Sequence, residues 1–116
     1  MELIKLDKNF TICQIKNTDV VDLEREFVFI TKTDNGISLV CESCYVPINA
    51  IIAESNLQAL KIEGKDRSKY IAQISNTLSQ VKFFLISTYS SIYIFIKSED
   101  FDNSITLFNE KGYILK

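Results

Sequence analysis

Apolar side chains recur along this chain with a period of two in some stretches and of three to four in others, and each change of period marks a strand giving way to a helix. The stretch Ile86 to Ile105 (ISTYSSIYIFIKSEDFDNSI) shows both periods. Tyr93 and Phe95 alternate with Ile92, Ile94 and Ile96, so both faces of the predicted strand are apolar, the pattern of a central strand. Phe101, Ile105 and Phe108 then fall at spacings of four and three, which predicts an amphipathic helix. Ser98 is placed to cap that helix, Glu99 and Asp100 favour its positive end, and Gly112, following Lys111, is placed to stop it.

Upstream, Phe10 to Lys16 alternates Phe10, Ile12 and Gln14 against Thr11, Cys13 and Ile15, which predicts a first strand after a polar lead-in. Asp19 is placed to cap a short helical turn reaching Glu26. Phe27 to Thr33 and Ile37 to Glu42 flank Asp34, Asn35 and Gly36, and an Asn-Gly between two β-prone runs predicts a hairpin. Pro47 breaks the sheet pattern, so Ile48 to Ser55 reads as a short helix or an irregular segment. Leu57 to Glu63 predicts another strand, and Gly64 to Asp66 a turn. Ile71, Ile74, Leu78 and Val81 predict a helix over Lys69 to Gln80, capped by Ser68, and Tyr113 to Lys116 predicts a closing strand.

The second half thus predicts strand, helix, strand, strand, helix, strand, which is the ferredoxin-like βαββαβ order. The first half begins the same way and then loses its second helix and closing strand. The expected fold class is α+β, with two ferredoxin-like units built on antiparallel sheets. A degenerate unit spans residues 1–56 and a full one residues 57–116.

Composition narrows the chemistry. A chain of 116 residues with 47% hydrophobic residues can bury one core, or two small ones sharing a sheet. No apolar run approaches the roughly 20 residues of a membrane helix. Glu2, Lys5, Asp7 and Lys8 break any signal-peptide core, so a cytoplasmic protein away from membranes is expected. A net charge of −2 and a pI near 5.1 argue against nucleic acid, whose affinity comes from many Lys and Arg releasing counterions. Tyr89, Tyr93 and Phe95 have the look of RNA-stacking aromatics, but no basic residue and glycine accompany them as in the RNA-recognition motif.

The absence of histidine removes Ser/His and Cys/His nucleophile pairs and the commonest transition-metal ligand. Cys41 and Cys44 have the C-x-x-C spacing of a dithiol or half a metal site. Only Cys13 remains to extend that set, and Cys41 ends an apolar strand, where a free thiol is commonly just buried.

The runs LKIEG at Leu60 to Gly64, IAQISNTLSQ at Ile71 to Gln80 and ISTYSSIYIFIKSEDF at Ile86 to Phe101 resemble the ACT-domain family, in the branch of the cytosolic arginine sensors and their small bacterial relatives. FVFITKTDNGISLVCES with the following Val46-Pro47 resembles the hairpin of that family's first unit. The resemblance implies two ACT units in one non-catalytic chain without a cofactor. It further implies a small metabolite, usually an amino acid, held at an interface between units, and a homodimer.

Carried over by position, the resemblance places the ligand at Gly64, Lys65, Asp66, Arg67 and Ser68 and at the facing strand end, Ser87, Thr88, Ser90 and Ser91. The residue types suit a zwitterion. The start of a helix offers N–H groups to a carboxylate, Asp66 offers an acceptor to an ammonium, and the hydroxyls do both. Two positions depart from the family. Tyr70 stands where relatives usually carry glycine, which narrows or fills the pocket. Ile92 stands where they tend to carry an acid, which argues against arginine as the ligand. The alternative reading keeps the fold without the ligand, as a protein-interaction or dimerisation module.

Overall fold

The computed structural model describes residues 2–116, along which seven strands and two α-helices follow one another. They are β1 (Glu2–Ile15), β2 (Val28–Thr33), β3 (Gly36–Glu42), β4 (Ile51–Glu63), α1 (Arg67–Thr77), β5 (Phe83–Ser87), β6 (Ser91–Lys97), α2 (Ser98–Glu110) and β7 (Ile114–Leu115). Hydrogen-bonded strands run in the order β2-β3-β1-β4-β6-β5, and β7 pairs with β1 off that path. This is a small α+β fold compatible with the ferredoxin-like class. The chain divides into two units, one of Lys8–Leu57 and one of Gln58–Lys116 with the residues up to Asp7. The long strands β1 and β4 therefore contribute residues to both.

The Lys8–Leu57 unit is built on the hairpin that Asn35-Gly36 predicts. Thr33 faces Gly36 across a turn of Asp34 and Asn35, and β3 also pairs antiparallel with β1, Cys13 opposite Leu39 and Ile15 opposite Ile37. One face of β1 turns Cys13 and Ile15 inward against Leu39 and Cys41, with Val28, Ile30 and Val46 packed around them. Phe10 and Phe27 meet edge to face, ring centres 5.9 Å apart.

Two expectations fail in this unit. No helical turn forms over residues 19–26, because polar side chains there bond to nearby backbone instead. Asn17 Oδ1 accepts from the Asp19 amide and Asp22 Oδ1 from the Glu24 amide, each at 3.0 Å. Arg25 reaches across to lie over the Tyr45 ring, 3.4 Å from its centre. The second failure is Ile48 to Ser55, of which Ile51 to Ser55 belong to β4. Pro47 does stop the sheet, but only through a 3-10 turn (Ser43–Tyr45) and a short loop, after which β-branched Ile51 and Ile52 resume it. Ile51 and Ile52 remain exposed, so their burial pattern carried no strand signal.

The second unit has the element order β4-α1-β5-β6-α2-β7 that its periodicity predicts. Leu60 and Ile62 of β4, and Ile92, Ile94 and Ile96 of β6, share a core with Ile74 of α1, Leu78 just past its end, and Phe101 and Phe108 of α2. Leu3 joins that core from β1, so the polar lead-in is itself strand. Its apolar signal was broken because Lys5 and Asp7 follow Leu3 at the same period-two positions, Lys5 lying over the Phe101 ring, 5.2 Å from its centre. Phe95 is fully buried and Tyr93 half-buried, in keeping with a central strand apolar on both faces.

The helix ends depart from expectation in detail. Asp66 and Lys97 occupy the N-cap positions, without a side-chain cap bond, and Ser68 and Ser98 lie inside the first turns. Helix α1 stops at Thr77, before the expected Gln80, with Thr77 Oγ1 donating back to the Gln73 carbonyl at 2.7 Å. The closing strand is reduced to Ile114–Leu115 and runs parallel to β1, Glu2 opposite Ile114 and Leu3 opposite Leu115, where antiparallel pairing was expected.

Candidate functional site

All nine predicted ligand-binding residues lie in the second unit, and the fold brings their two stretches together. Gly64 to Ser68 form the turn from β4 into α1, and Ser87 to Ser91 form the tight turn between β5 and β6. Arg67, the first residue of α1, joins them. Its Nη1 donates to Ser87 Oγ at 3.3 Å and its Nη2 donates to the Tyr89 carbonyl. These bonds hold a half-buried guanidinium where the amides of a helix start already favour negative charge.

The turn that receives Arg67 is locked by its own hydroxyls. Thr88 Oγ1 donates to the Ser91 carbonyl at 2.9 Å and accepts from the Ser91 amide at 3.2 Å, and the Thr88 amide donates to the same carbonyl at 2.8 Å. Ser91 is buried, and its hydroxyl lies 3.5 Å from that of Ser90. Thr88 and Ser91 therefore shape the turn, whereas Ser87 and Ser90 are exposed, as are Lys65, Asp66 and Ser68 on the facing stretch.

Gly64 is bound up with Tyr70. Its φ of +154° is a conformation that residues with a Cβ rarely adopt, and a Cβ there would lie 2.7 Å from Tyr70 Cε2 and 2.8 Å from its hydroxyl oxygen. The ring thus occupies the space above the glycine, as the departure at Tyr70 leads one to expect. One turn further along α1, Gln73 Oε1 accepts from the Tyr113 hydroxyl at 2.5 Å, and burial with neighbouring Tyr70 pushes the Tyr113 phenol upward. The part of Arg67 as a bridge was not readable from its place in the loop, since it depends on β5 and β6 folding beside α1. Tyr89, which supplies a backbone acceptor and leaves its ring 98% exposed, was missed for the same reason.

The C-x-x-C pair points in two directions. Cys41 is buried in the first unit's core and its thiol is pushed up to about 11, by burial first and then by Cys13, Cys44 and Glu42, while Cys44 is exposed. Among the described residues no group of three or more His, Cys, Asp or Glu side chains is placed to hold a metal, and no helix is long and apolar enough to cross a membrane.

No protein-family model matches the chain, and no curated protein does. Among solved structures it is similar to a structural-genomics protein of Agrobacterium tumefaciens, with a TM-score of 0.87 and 22% identity over 99% of this chain and 91% of that one. A Vibrio cholerae protein of unknown function, described as a possible transport protein, follows with a TM-score of 0.73 and 14% identity over 94% and 88% of the two chains. Escherichia coli aspartokinase III, solved with aspartate and ADP, matches with a TM-score of 0.62 and 11% identity over 89% of this chain and 31% of its own. Clostridium acetobutylicum aspartate kinase, described as an allosteric enzyme, matches at 0.61 and 20% identity, over 89% of this chain and 32% of its own. The chain spans about a third of each kinase. At these identities the likeness is one of fold. It supports an ACT-like fold through the ACT-containing kinases and does not extend to the arginine-sensor branch.

Proposed function

We propose that this chain is a non-catalytic, cytoplasmic regulatory module of two ACT-like units, the first degenerate, that binds an amino acid or a similar small metabolite. The observation that carries the reading is Arg67. A guanidinium fixed between the start of α1 and the Ser87 and Tyr89 acceptors has two of its donors engaged and presents the rest of its five N–H groups to an incoming carboxylate. Asp66, one residue earlier and exposed, is the acceptor offered to the ammonium. Support from fold comes from the two aspartate kinases, one described as allosteric and the other solved with aspartate. The ligand meets this rim where a second copy of the chain completes it.

A thermal-shift screen against the twenty amino acids tests the reading, because a ligand that prefers the native state raises its apparent stability. One amino acid should raise the midpoint, and Arg67→Met should weaken it at least about ten-fold, the loss of a charge-assisted hydrogen bond. A cooperative melt that no amino acid shifts, or an affinity indifferent to Arg67→Met, overturns it. The second reading, an interaction module without ligand, is favoured by the Tyr70 ring over Gly64 and the outward Tyr89 ring, and would then stand.

A further inference from the structure

The Lys8–Leu57 unit carries a cleft that the reading above does not use. It lies between the loop leaving β1 and the loop entering β4, lined by Ile15, Lys16, Asn17 and Val20 on one side and by residues 47–50 on the other. Its volume is about 530 Å³, within the range of small-molecule sites. Pro47, Ile48, Ala50, Ile15 and Val20 make its walls apolar, and Ile48 is 98% exposed and Val20 58% exposed. A smaller depression, lined in part by Ile37 and Ile51, shares Ile15, Lys16 and Asn49 with the main cleft.

Among the described residues Lys16 is the one charged residue lining either cavity, and no carboxylate side chain faces it from the lining of either. The amides of Asn17 and Asn49 lie in the same lining. An apolar trough with a single cation and two amides suits a ligand with one anionic head and a hydrocarbon body. It suits a zwitterion less well, because the lining offers an ammonium only amide oxygens and no carboxylate. We infer that this cleft binds a small aliphatic monocarboxylate, with its carboxylate on Lys16 and its chain along Ile15, Pro47, Ile48 and Ile51. The site is separate in residues and in ligand chemistry from the Arg67 rim.

The test is a titration of the full chain with octanoate, below its micellar range, followed by amide chemical shifts in NMR. Saturable shifts at residues 15–20 and 47–51 are expected, with Lys16→Met and, separately, replacement of octanoate by octanol each weakening binding at least about ten-fold. Lys16 is exposed, so its replacement spares the fold, and Arg67→Met should leave octanoate binding unchanged. Equal affinity for octanol and octanoate, indifference to Lys16→Met, or shifts confined to residues outside the cleft would each overturn the inference. So would concentration-dependent self-association that Ile48→Asp abolishes while octanoate shifts nothing, since the cleft would then be covered by a second copy.

Discussion

Glycines 64 and 112 show how the same residue type answers to different forces. At Gly64 both backbone and neighbour forbid a side chain, since φ is +154° and the Tyr70 ring stands under 3 Å from any Cβ. At Gly112 φ is +90° and a Cβ would meet nothing within 4 Å, so only the backbone term applies. Gly112→Ala should cost about 1 kcal/mol, and Gly64→Ala more, about 2–3 kcal/mol, in denaturant unfolding. Adding Tyr70→Ala to Gly64→Ala should recover the steric part. A double-mutant cycle with no coupling between 64 and 70 would show that the ring does not rest on the glycine. Cys41 supplies a pH test. Its thiol titrates at about 11 in the folded chain against an ordinary 9.0, so folding favours the protonated form. The stability this brings is whole below pH 9 and is lost as pH rises through 11. Wild type should therefore lose stability across that window faster than Cys41→Ala, and parallel curves would refute the shift.

At the scale of elements, α2 shows a sequence signal honoured to the residue. The Tyr113 amide donates to the Phe108 carbonyl and the Gly112 amide to that of Asn109, each at 3.1 Å, which is the Schellman pattern. The apolar contact that accompanies it is Phe108 against Tyr113, ring centres 5.1 Å apart. Every participant is local, so the end of this helix was legible beforehand. The end of α1 has no such signal and was misplaced by three residues. Its link to the chain's last residues is tertiary instead, through the Tyr113 hydroxyl on Gln73. Tyr113→Phe should cost about 1–2 kcal/mol by leaving the Gln73 acceptor without its donor, and Gln73→Ala in the same background should add little. Two additive losses would show that the bond does not couple the elements.

For the whole molecule, the proposed homodimer predicts a sedimentation coefficient of a dimer at micromolar concentration, and a monomer throughout that range would count against a rim completed by a second copy. Which parts of this architecture the chain announced depends on how far apart the interacting residues stand. Hairpin β2–β3, strand β6 and helix α2 were legible because period, turn residues and the closing glycine all lie within a few positions of one another. The α+β class and the order of elements after residue 57 followed from them, whereas Gly64 to Ser68 and Ser87 to Ser91 were singled out by family resemblance and not by local pattern. Other features wait on partners far along the chain. Strand β1 takes in Leu3, which fills a core made by residues beyond 58, and β7 runs parallel to it, with the Lys116 amide donating to the Leu3 carbonyl at 2.7 Å. Ile51 and Ile52 are strand through their place in β4 although they face solvent. Arg67 reaches Ser87 and the Tyr89 carbonyl only because the β5–β6 turn closes beside α1. Local periodicity and turn chemistry determined the elements and their order, whereas pairing direction, strand length and the meeting of charged side chains were decided by long-range closure, which no window of neighbouring residues contains.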